Sequence, residues 1–331
     1  VGGRLANFWR TWQTKGADPW VIQVLKEGYQ IPFVRNPPLS ETPLEFRSYD
    51  KGSPKWTALN QEVDALLSKG AIEQVDCPSA GYYSRPFVVP KATGGWRPII
   101  DLSQLNVFVQ QTQFKMETVS SVRQAIKEGD FMASIDLRDA YLHVPVHPEH
   151  WKYLRFVWEG VVYQYRCLCF GLCTAPQVFT RVMAPVSVWT HLDGIRMMRY
   201  LDDWLVLDQT SEGLLLAIKS LLLLCKELGL VVNLDKSDLV PCQSLVYLGM
   251  QLDSRTMTVC PSAKRIQKFC ELAESFLLDP QPEAHLWQRV LGHLTSLEKL
   301  VPRSRARMRH LQFQQLGEVI FRSLATQIEV Q

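Results

Sequence analysis

The chain has 331 residues and a mass of 38.0 kDa, so it is long enough to hold more than one packed core. Its hydrophobic content of 47% excludes a disordered chain, and its net charge of +3 excludes a polycation that binds nucleic acid through total charge. The eight cysteines show no disulfide framework, and no segment has the features of a signal peptide or a membrane span. We therefore expect a folded intracellular protein, in the cytoplasm, the nucleus or both, without a membrane partner.

The first third of the chain predicts an irregular start, one helix and one hairpin. Residues 1–58 carry four tryptophans among glycines and prolines, which favours a partly extended lead-in. Apolar residues recur at helical spacing from Thr57 to Lys69, and Gly70 stands where a glycine commonly ends a helix. Arg85–Pro90 and Trp96–Asp101 flank a pair of glycines and predict a β-hairpin.

The rest of the chain predicts a mixed α/β fold that ends in helices. The expected strands are Phe131–Asp136, a hairpin within Arg155–Cys169, a hairpin within Arg196–Leu207, Val231–Asn233 and Leu245–Leu252. The expected helices are Ala175–Val188, Glu212–Leu228 with a buried apolar run, Ala263–Leu278 and Glu283–Leu300.

Three aspartates stand where burial is expected. Asp136 ends an apolar strand, and Asp202 and Asp203 lie between Leu201 and Trp204 at the tip of a predicted hairpin. A carboxylate beside a dry sheet is costly unless it is paired or bound to a metal, and hard divalent cations take oxygen ligands. The three residues therefore indicate a metal site, with a solvent-exposed turn as the alternative interpretation.

Five motifs in one order surround these aspartates. Ser134–Val146 (SIDLRDAYLHVPV) resembles the first catalytic motif of retroelement reverse transcriptases, and Tyr200–Asp203 (YLDD) resembles their YxDD box. Phe170–Phe179 is similar to their template-and-nucleotide motif, Trp96–Asn106 to their fingers motif, and Tyr247–Gly249 to their primer-grip turn. Within this superfamily, the start of the chain (Gly2–Phe8, Asp18–Val21, Gly28–Phe33) and its tail (Leu291–Arg309) resemble the DIRS group of tyrosine-recombinase retrotransposons.

The resemblance implies an α/β (α+β) right-hand fold of fingers, palm and helical thumb. The implied divisions are an N-terminal extension (1–58), the first part of the fingers (59–130), palm with the first motif (131–149), the second part of the fingers (150–169), palm with YxDD and primer grip (170–256) and a helical thumb or connection (257–331). Only two acidic residues follow Glu298, so no ribonuclease H domain is expected within the chain.

The resemblance also assigns roles to individual residues. It implies that Asp136, Asp202 and Asp203, with the backbone of Leu137, hold two Mg²⁺ ions, with Mn²⁺ as an alternative. Lys236 would protonate pyrophosphate, and Tyr247, Leu248 and Gly249 would form the primer grip. The nucleotide-binding residues would be Lys91, Arg97, Arg138, Asp139, Ala140, Tyr141, Phe170 and Gln177.

Several of these assignments have simpler alternatives. Lys91, Arg97 and Lys236 could be ordinary exposed cations, and Tyr141, the expected steric gate against ribonucleotides, could be a core residue. Phe170 departs from the retroviral pattern, which has glutamine there, so stacking or backbone contact would replace a side-chain hydrogen bond.

The predicted function is RNA- and DNA-templated DNA synthesis by a reverse transcriptase, with nucleotidyl transfer from a dNTP to a primer 3′-hydroxyl. Its partners would be a primed RNA or DNA template and dNTPs, with ribonuclease H and recombinase domains elsewhere and an oligomeric state that the sequence does not define. The alternatives are an RNA-dependent RNA polymerase, which Tyr141 and the YxDD form disfavour, and a catalytically silent scaffold, which the three intact aspartates disfavour.

The C-terminal segment carries the basic charge that the whole chain lacks. Residues 254–331 contain 11 lysines and arginines against 7 acidic residues. Arg303, Arg305, Arg307 and Arg309 alternate, so they would share one face of an extended segment. We expect this face to contact the template-primer backbone, with a solvated basic stretch or a nuclear-targeting signal as the alternative.

Overall fold

The computed structural model describes residues 1–46, 49–76, 79–90, 95–112, 114, 119–279, 281–297 and 308–309, with only the backbone at 119 and 120. In these ranges the α-helices are α1 (Trp9–Thr14), α2 (Pro19–Glu27), α3 (Pro54–Ser68), α4 (Ser103–Asn106), α5 (Val119–Ala125), α6 (Ala175–Val182), α7 (Ala184–Leu192), α8 (Ser211–Leu228), α9 (Ala263–Leu278) and α10 (Ala284–Leu297). Short 3-10 helices cover Arg4–Asn7, Ala140–His143, Pro148–Tyr153 and Leu234–Lys236.

The strands of the described residues form four sheets. They are β1 (Ile72–Gln74), β2 (Arg85–Pro90), β3 (Trp96–Asp101), β4 (Phe131–Asp136), β5 (Arg155–Trp158), β6 (Val161–Tyr165), β7 (Arg196–Tyr200), β8 (Asp203–Asp208), β9 (Asp238–Cys242), β10 (Ser244–Tyr247), β11 (Met250–Asp253) and β12 (Thr258–Pro261). The strand orders are β1-β6-β5, β2-β3, β7-β8-β4-β9 and β10-β11-β12.

The chain divides into two compact units. The first comprises residues 1–116, 135–206 and 216–239, and the second comprises residues 117–134, 207–215 and 240–331. The core of the first unit includes the fully buried side chains of Trp12, Phe179 and Trp204. In the second unit, Leu272 of α9 packs with residues of α10 in a separate apolar cluster.

The prediction of an irregular lead-in is wrong, because residues 1–58 contain two helices before α3. Asp18 caps α2 by accepting a hydrogen bond from the Trp20 N–H at 2.9 Å, a start signal that is legible in the sequence. Trp12 of α1 is fully buried, and its indole N–H donates to the Leu228 carbonyl at 3.0 Å. The aromatic residue therefore anchors the N-terminal segment to the end of α8.

Two other predicted elements are interrupted. The predicted helix Ala175–Val188 is two helices, because Pro185 in the first turn of α7 has no N–H to continue the hydrogen-bond ladder of α6. The predicted strand Leu245–Leu252 is the hairpin β10-β11, in which Leu248 and Gly249 have positive φ values of 48° and 72°. Strands β9 and β12 were not predicted.

The hairpin of β2 and β3 is confirmed with the expected bounds. Its register pairs Arg85 with Asp101 and Pro90 with Trp96. Helix α3 packs against both strands, and it starts at Pro54 because the Ser53 hydroxyl accepts a hydrogen bond from the Trp56 N–H. The tip of the hairpin, with Lys91, lies outside the described residues.

Helix α8 is confirmed, but it is amphipathic rather than buried on all sides. Leu214, Leu221 and Cys225 are buried, whereas Leu216 and Leu223 are exposed on the opposite face. Among the helices described here, none combines the length and the apolarity that a membrane span needs.

Candidate active site

The hairpin of β7 and β8 places Asp202 and Asp203 at its tip, as predicted. Leu201 opens the two-residue turn with φ 55°, a left-handed conformation that costs a non-glycine residue roughly 1–2 kcal/mol. The indole N–H of the buried Trp204 donates to the Leu201 carbonyl at 3.1 Å. This bond holds the strained turn, so Trp204 is a supporting residue of the site that motif matching does not identify.

Asp136 lies beside this tip because β4 is the neighbour of β8. The Leu137 N–H donates to the Asp202 carbonyl at 2.9 Å, which joins the end of β4 to the turn. The three predicted aspartates therefore meet at one edge of the sheet, although 65 residues of other structure separate the first from the pair in the chain.

A segment after α8 supports the other side of Asp136. The Asn233 N–H donates to the Asp136 carbonyl at 2.8 Å. The Asp136 N–H donates to the Ser237 hydroxyl oxygen at 3.0 Å, and that hydroxyl donates to the Asn233 carbonyl at 2.7 Å. Both ends of the Asp136 peptide unit are thereby held, and Ser237 emerges as a supporting residue for which the sequence carries no local signal.

The pKa values of Asp202 and Asp203 reflect both burial and neighbouring charge. Burial raises the pKa of Asp203 to about 6, and the negative charges of Asp202 and Asp136 act in the same direction. Burial and Asp136 also raise the pKa of Asp202, while Lys236 opposes the shift at both residues. The exposed Lys236, in a 3-10 helix, is therefore near enough to balance part of the negative charge.

The described residues contain no set of three His, Cys, Asp or Glu side chains arranged as a complete metal site. Mg²⁺ keeps several waters and commonly uses only one or two carboxylates together with substrate phosphates. The chemistry of the oxygen donors at this edge fits such an ion.

Tyr141 lies in the 3-10 helix Ala140–His143, and it is largely buried. Its ring packs between two aromatic side chains, with centroid distances of 4.8 Å to Phe170 and 5.7 Å to Phe179. Burial raises the pKa of Tyr141 to about 12, with Asp202 as the next contributor. The predicted steric gate therefore lies next to the predicted metal site, and the exposed Phe170 covers its outer side.

The other predicted nucleotide-binding residues near Tyr141 differ in their exposure and in their hydrogen-bond or ion-pair partners. Asp139 has φ 51°, and its carboxylate pairs with the Lys69 ammonium at 3.0 Å, so its side chain is already engaged. Arg138 is exposed, whereas Ala140 is buried. The amide of Gln177 in α6 donates to the Thr112 hydroxyl at 2.5 Å.

The remaining predicted residues lie in other parts of the chain. Arg97 is exposed on β3. The buried Tyr247, with Leu248 and Gly249, forms the β10-β11 turn in the second unit, and the Gly249 carbonyl accepts from the Ser262 N–H at 3.0 Å. Arg309 is exposed, and Arg303, Arg305 and Arg307 lie outside the described residues.

His143 is the buried titratable group closest in sequence to Tyr141. Its Nε2 accepts from the Val231 N–H at 3.1 Å, so the proton of the neutral ring is on Nδ1, which lies 3.2 Å from the Ala140 carbonyl oxygen. Burial lowers the pKa of His143 from 6.5 to about 4, against smaller opposing effects of the Asp139 and Ala140 carbonyls and the Asp139 charge. His143 is therefore a buried residue whose two ring nitrogens both face backbone polar groups.

This burial predicts a pH dependence of stability. The unfolded chain binds a proton at His143 near pH 6.5, whereas the folded chain stays neutral there until about pH 4. The contribution of His143 to the free energy of unfolding should therefore decrease by up to about 3 kcal/mol as the pH falls through this window. The raised pKa of Asp203 acts in the opposite direction but equally in both proteins, so urea unfolding from pH 7 to pH 4.5 should show the His143 contribution as a loss of stability in the wild type relative to His143→Gln. Parallel curves for the two proteins would contradict it.

Comparison with solved structures identifies the fold. The foamy viral protease-reverse transcriptase dRH in complex with double-stranded DNA matches over 92% of this chain and 54% of its own, with TM-score 0.66 and 18% identity. The same viral protein in complex with an RNA/DNA hybrid matches over 94% of this chain and 42% of its own, with TM-score 0.65 and 17% identity. The predicted mixed α/β polymerase fold is confirmed, since this is the fold of reverse transcriptase structures.

Sequence comparison identifies the family of the domain. The transposon Tf2-3 polyprotein of Schizosaccharomyces pombe is 22% identical over 286 residues, 86% of this chain and 19% of the polyprotein. The Pol polyprotein of equine infectious anemia virus (isolate CL22) is 26% identical over 291 residues, 84% of this chain and 23% of that protein. The chain thus spans about a fifth of the length of these curated relatives.

Residues 89–252 match the family model of the reverse transcriptase (RNA-dependent DNA polymerase). These residues therefore form a reverse transcriptase domain of the long-terminal-repeat retrotransposon and retroviral type. The matched range contains Asp136, Tyr141, Asp202 and Asp203 and the segment that supports them.

Proposed function

We propose that this chain is the polymerase part of a reverse transcriptase, which extends a primer on an RNA or DNA template by nucleotidyl transfer from dNTPs. The observation that carries the proposal is the meeting of Asp136, Asp202 and Asp203 at one sheet edge within a reverse transcriptase domain. An RNA-dependent RNA polymerase could use similar carboxylates, but the aromatic gate at Tyr141 favours deoxyribonucleotides.

We assign the metal ligands to Asp136, Asp202 and Asp203, with the backbone of Leu137. When bound, two Mg²⁺ ions, or Mn²⁺ in their place, activate the primer 3′-hydroxyl and neutralise charge on the leaving pyrophosphate. The crowded carboxylates support this assignment, because a divalent cation would offset both the burial and the repulsion that raise the pKa of Asp203.

Four cationic or aromatic residues would then act on the nucleotide. Lys236, whose charge acts on Asp202 and Asp203, would donate a proton to the leaving pyrophosphate. Arg97, and Lys91 of the same hairpin, would pair with the triphosphate through charge-assisted hydrogen bonds. Tyr141, backed by Phe170, would exclude a ribose 2′-hydroxyl.

Four further residues would contact the nucleotide, two of them through the main chain and two through side chains. Asp139 is engaged by Lys69 and Ala140 is buried, so both would contribute main-chain N–H groups rather than side-chain contacts. Arg138 and Gln177 retain polar side chains that a nucleotide could contact.

The template-primer would be held by other elements. Tyr247, Leu248 and Gly249 form the β10-β11 turn, and we assign them as the primer grip from their match to that motif. Arg303, Arg305, Arg307 and Arg309 are proposed phosphate contacts from their alternation in the sequence. The division into fingers, palm and thumb stays a prediction.

We also propose the finer assignment to the DIRS group on the sequence of the N-terminal segment and the tail. The polyprotein context of the relatives supports further domains elsewhere, such as a ribonuclease H and a recombinase. An intracellular location, in the cytoplasm or nucleus, is supported by the free cysteines of the described residues.

Primer extension tests the proposed function directly. The purified chain should extend a DNA primer on an RNA template with dNTPs and Mg²⁺, extend it poorly with NTPs, and stop when EDTA is added, because the proposed chemistry needs the divalent ion. Products with NTPs alone would favour an RNA polymerase. No product with either set, although the primer-template binds, would favour the silent scaffold.

A further inference from the structure

The segment that carries Tyr141 is a short loop fastened at both ends to one residue. At its start the Arg138 N–H donates to the Val231 carbonyl at 2.8 Å, and at its end the Nε2 atom of His143 accepts from the Val231 N–H at 3.1 Å. Both polar groups of the Val231 backbone are thus used by residues 138 and 143. Tyr141 lies midway between these two attachments.

Only one of the two attachments depends on a side chain. The first uses backbone atoms only, so it is insensitive to substitution. The second depends on the imidazole of His143, which is 0% exposed and also brings Nδ1 within 3.2 Å of the Ala140 carbonyl oxygen, one residue before Tyr141. One ring therefore connects the backbone next to the gate to the segment that supports Asp136.

The packing around the Tyr141 ring does not define how far the ring extends toward the nucleotide, so the loop backbone sets that distance. Phe170 and Phe179 flank the ring and limit its sideways movement. Phe170 is 58% exposed, so the outer wall cannot by itself prevent the loop from lifting toward the nucleotide. Loss of the attachment at residue 143 would leave Arg138 as the loop's remaining bond to Val231, alongside the bond from the Gly3 N–H to the Leu142 carbonyl at 2.7 Å and the Lys69–Asp139 ion pair.

We propose that His143 is a positioning residue for sugar selection, which sets the distance between the Tyr141 ring and the nucleotide by fastening the gate loop to Val231. The inference rests on the proposed function and deepens it, because it names a determinant of the choice between dNTP and NTP. His143 contacts neither substrate nor metal in this scheme, and it acts only through Tyr141.

Three substitutions of His143 distinguish a positioning role from a role in which the side chain only fills volume in the core. Glutamine can place its Oε1 atom where Nε2 of His143 lies and so can accept from the Val231 N–H. Asparagine places its amide near Nδ1 and is too short to reach Val231, and leucine fills the volume without a polar atom. Glutamine and asparagine are therefore a matched polar pair that differs in the one hydrogen bond at issue.

The experiment measures kcat/KM for one dNTP and for the matching NTP in single-nucleotide primer extension, after thermal unfolding has shown that each variant folds. We expect His143→Gln to retain the wild-type selectivity within about threefold, and His143→Asn and His143→Leu to reduce it by about tenfold, the factor that corresponds to one lost hydrogen bond. If His143→Leu does not fold, the glutamine-asparagine pair carries the test.

A double-mutant cycle tests whether His143 acts through Tyr141. In the Tyr141→Val background, His143→Asn should no longer change selectivity, because the group that it positions is absent. Equal losses of dNTP and NTP incorporation in His143→Asn, or a glutamine variant as unselective as leucine, would overturn the inference. A wild-type chain that extends with neither nucleotide would instead overturn the proposed function, so the two failures are distinct.

Discussion

Replacing Asp136 or Asp202 by asparagine should reduce primer extension by about a thousandfold or more, while primer-template binding stays within about twofold of the wild type. The loss follows because each asparagine removes a charged oxygen ligand, and stabilisation by a bound metal is worth several kcal/mol in the transition state. Binding persists because duplex affinity comes mainly from cations that face phosphates, not from carboxylates. Steady-state extension and fluorescence anisotropy with a labelled duplex measure the two quantities.

The matched control is Asp193→Asn, since Asp193 is an exposed aspartate just after α7. It should extend primers at the wild-type rate. Asp203→Asn distinguishes two roles for the second residue of the pair, because a ligand gives the full loss and a residue that only tunes the charge gives a partial one. Wild-type extension by Asp136→Asn or Asp202→Asn would refute the proposed mechanism.

The second large effect concerns the choice of sugar. Tyr141→Val should raise the incorporation of NTPs relative to dNTPs by about 10–100-fold, because the shorter side chain opens the space that the ring denies to a 2′-hydroxyl. The measurement is kcat/KM for a matched NTP and dNTP on the same primer-template. A ratio of rates is informative even though removal of this buried ring also lowers stability.

A suitable control removes another partly buried tyrosine ring from the same unit. Tyr163 lies on β6, where its ring stacks on Phe156. Tyr163→Val should change stability without changing the sugar preference. If Tyr141→Val had no more effect on the preference than this control, Tyr141 would be a core residue rather than a gate.

Local sequence determined those features that depend on short-range chemistry. Gly70 and Gly229 end α3 and α8 with positive φ, where a side chain would be strained, and the alternation of the β2-β3 hairpin defines its bounds. The charge of Asp202 and Asp203 between apolar neighbours marked the tip of the β7-β8 hairpin. The order of the motifs predicted a reverse transcriptase domain, and the family model matches residues 89–252.

The helices of residues 1–58 were missed although part of their signal is local. Asp18 and Pro19 form a helix start, but six and nine residues are too few for a periodic pattern to stand out among glycines and prolines. Burial of Trp12 against the end of α8 stabilises them, and that contact joins residues far apart in the chain. The local helix preference of these segments is weak, so tertiary packing supplies most of the stability of the two helices.

The tertiary structure alone decided how the site is supported. Ser237 holds Asp136, Trp204 holds the turn of Leu201, and His143 fastens the loop of Tyr141 to Val231. Serine, tryptophan and histidine at these positions have no spacing that marks them, because two of the three bonds join residues about 90 to 100 positions apart. The sequence by itself predicted which carboxylates and which aromatic residue form the proposed site, whereas only the fold could determine what holds them, since a hydrogen bond depends on distance in space rather than along the chain.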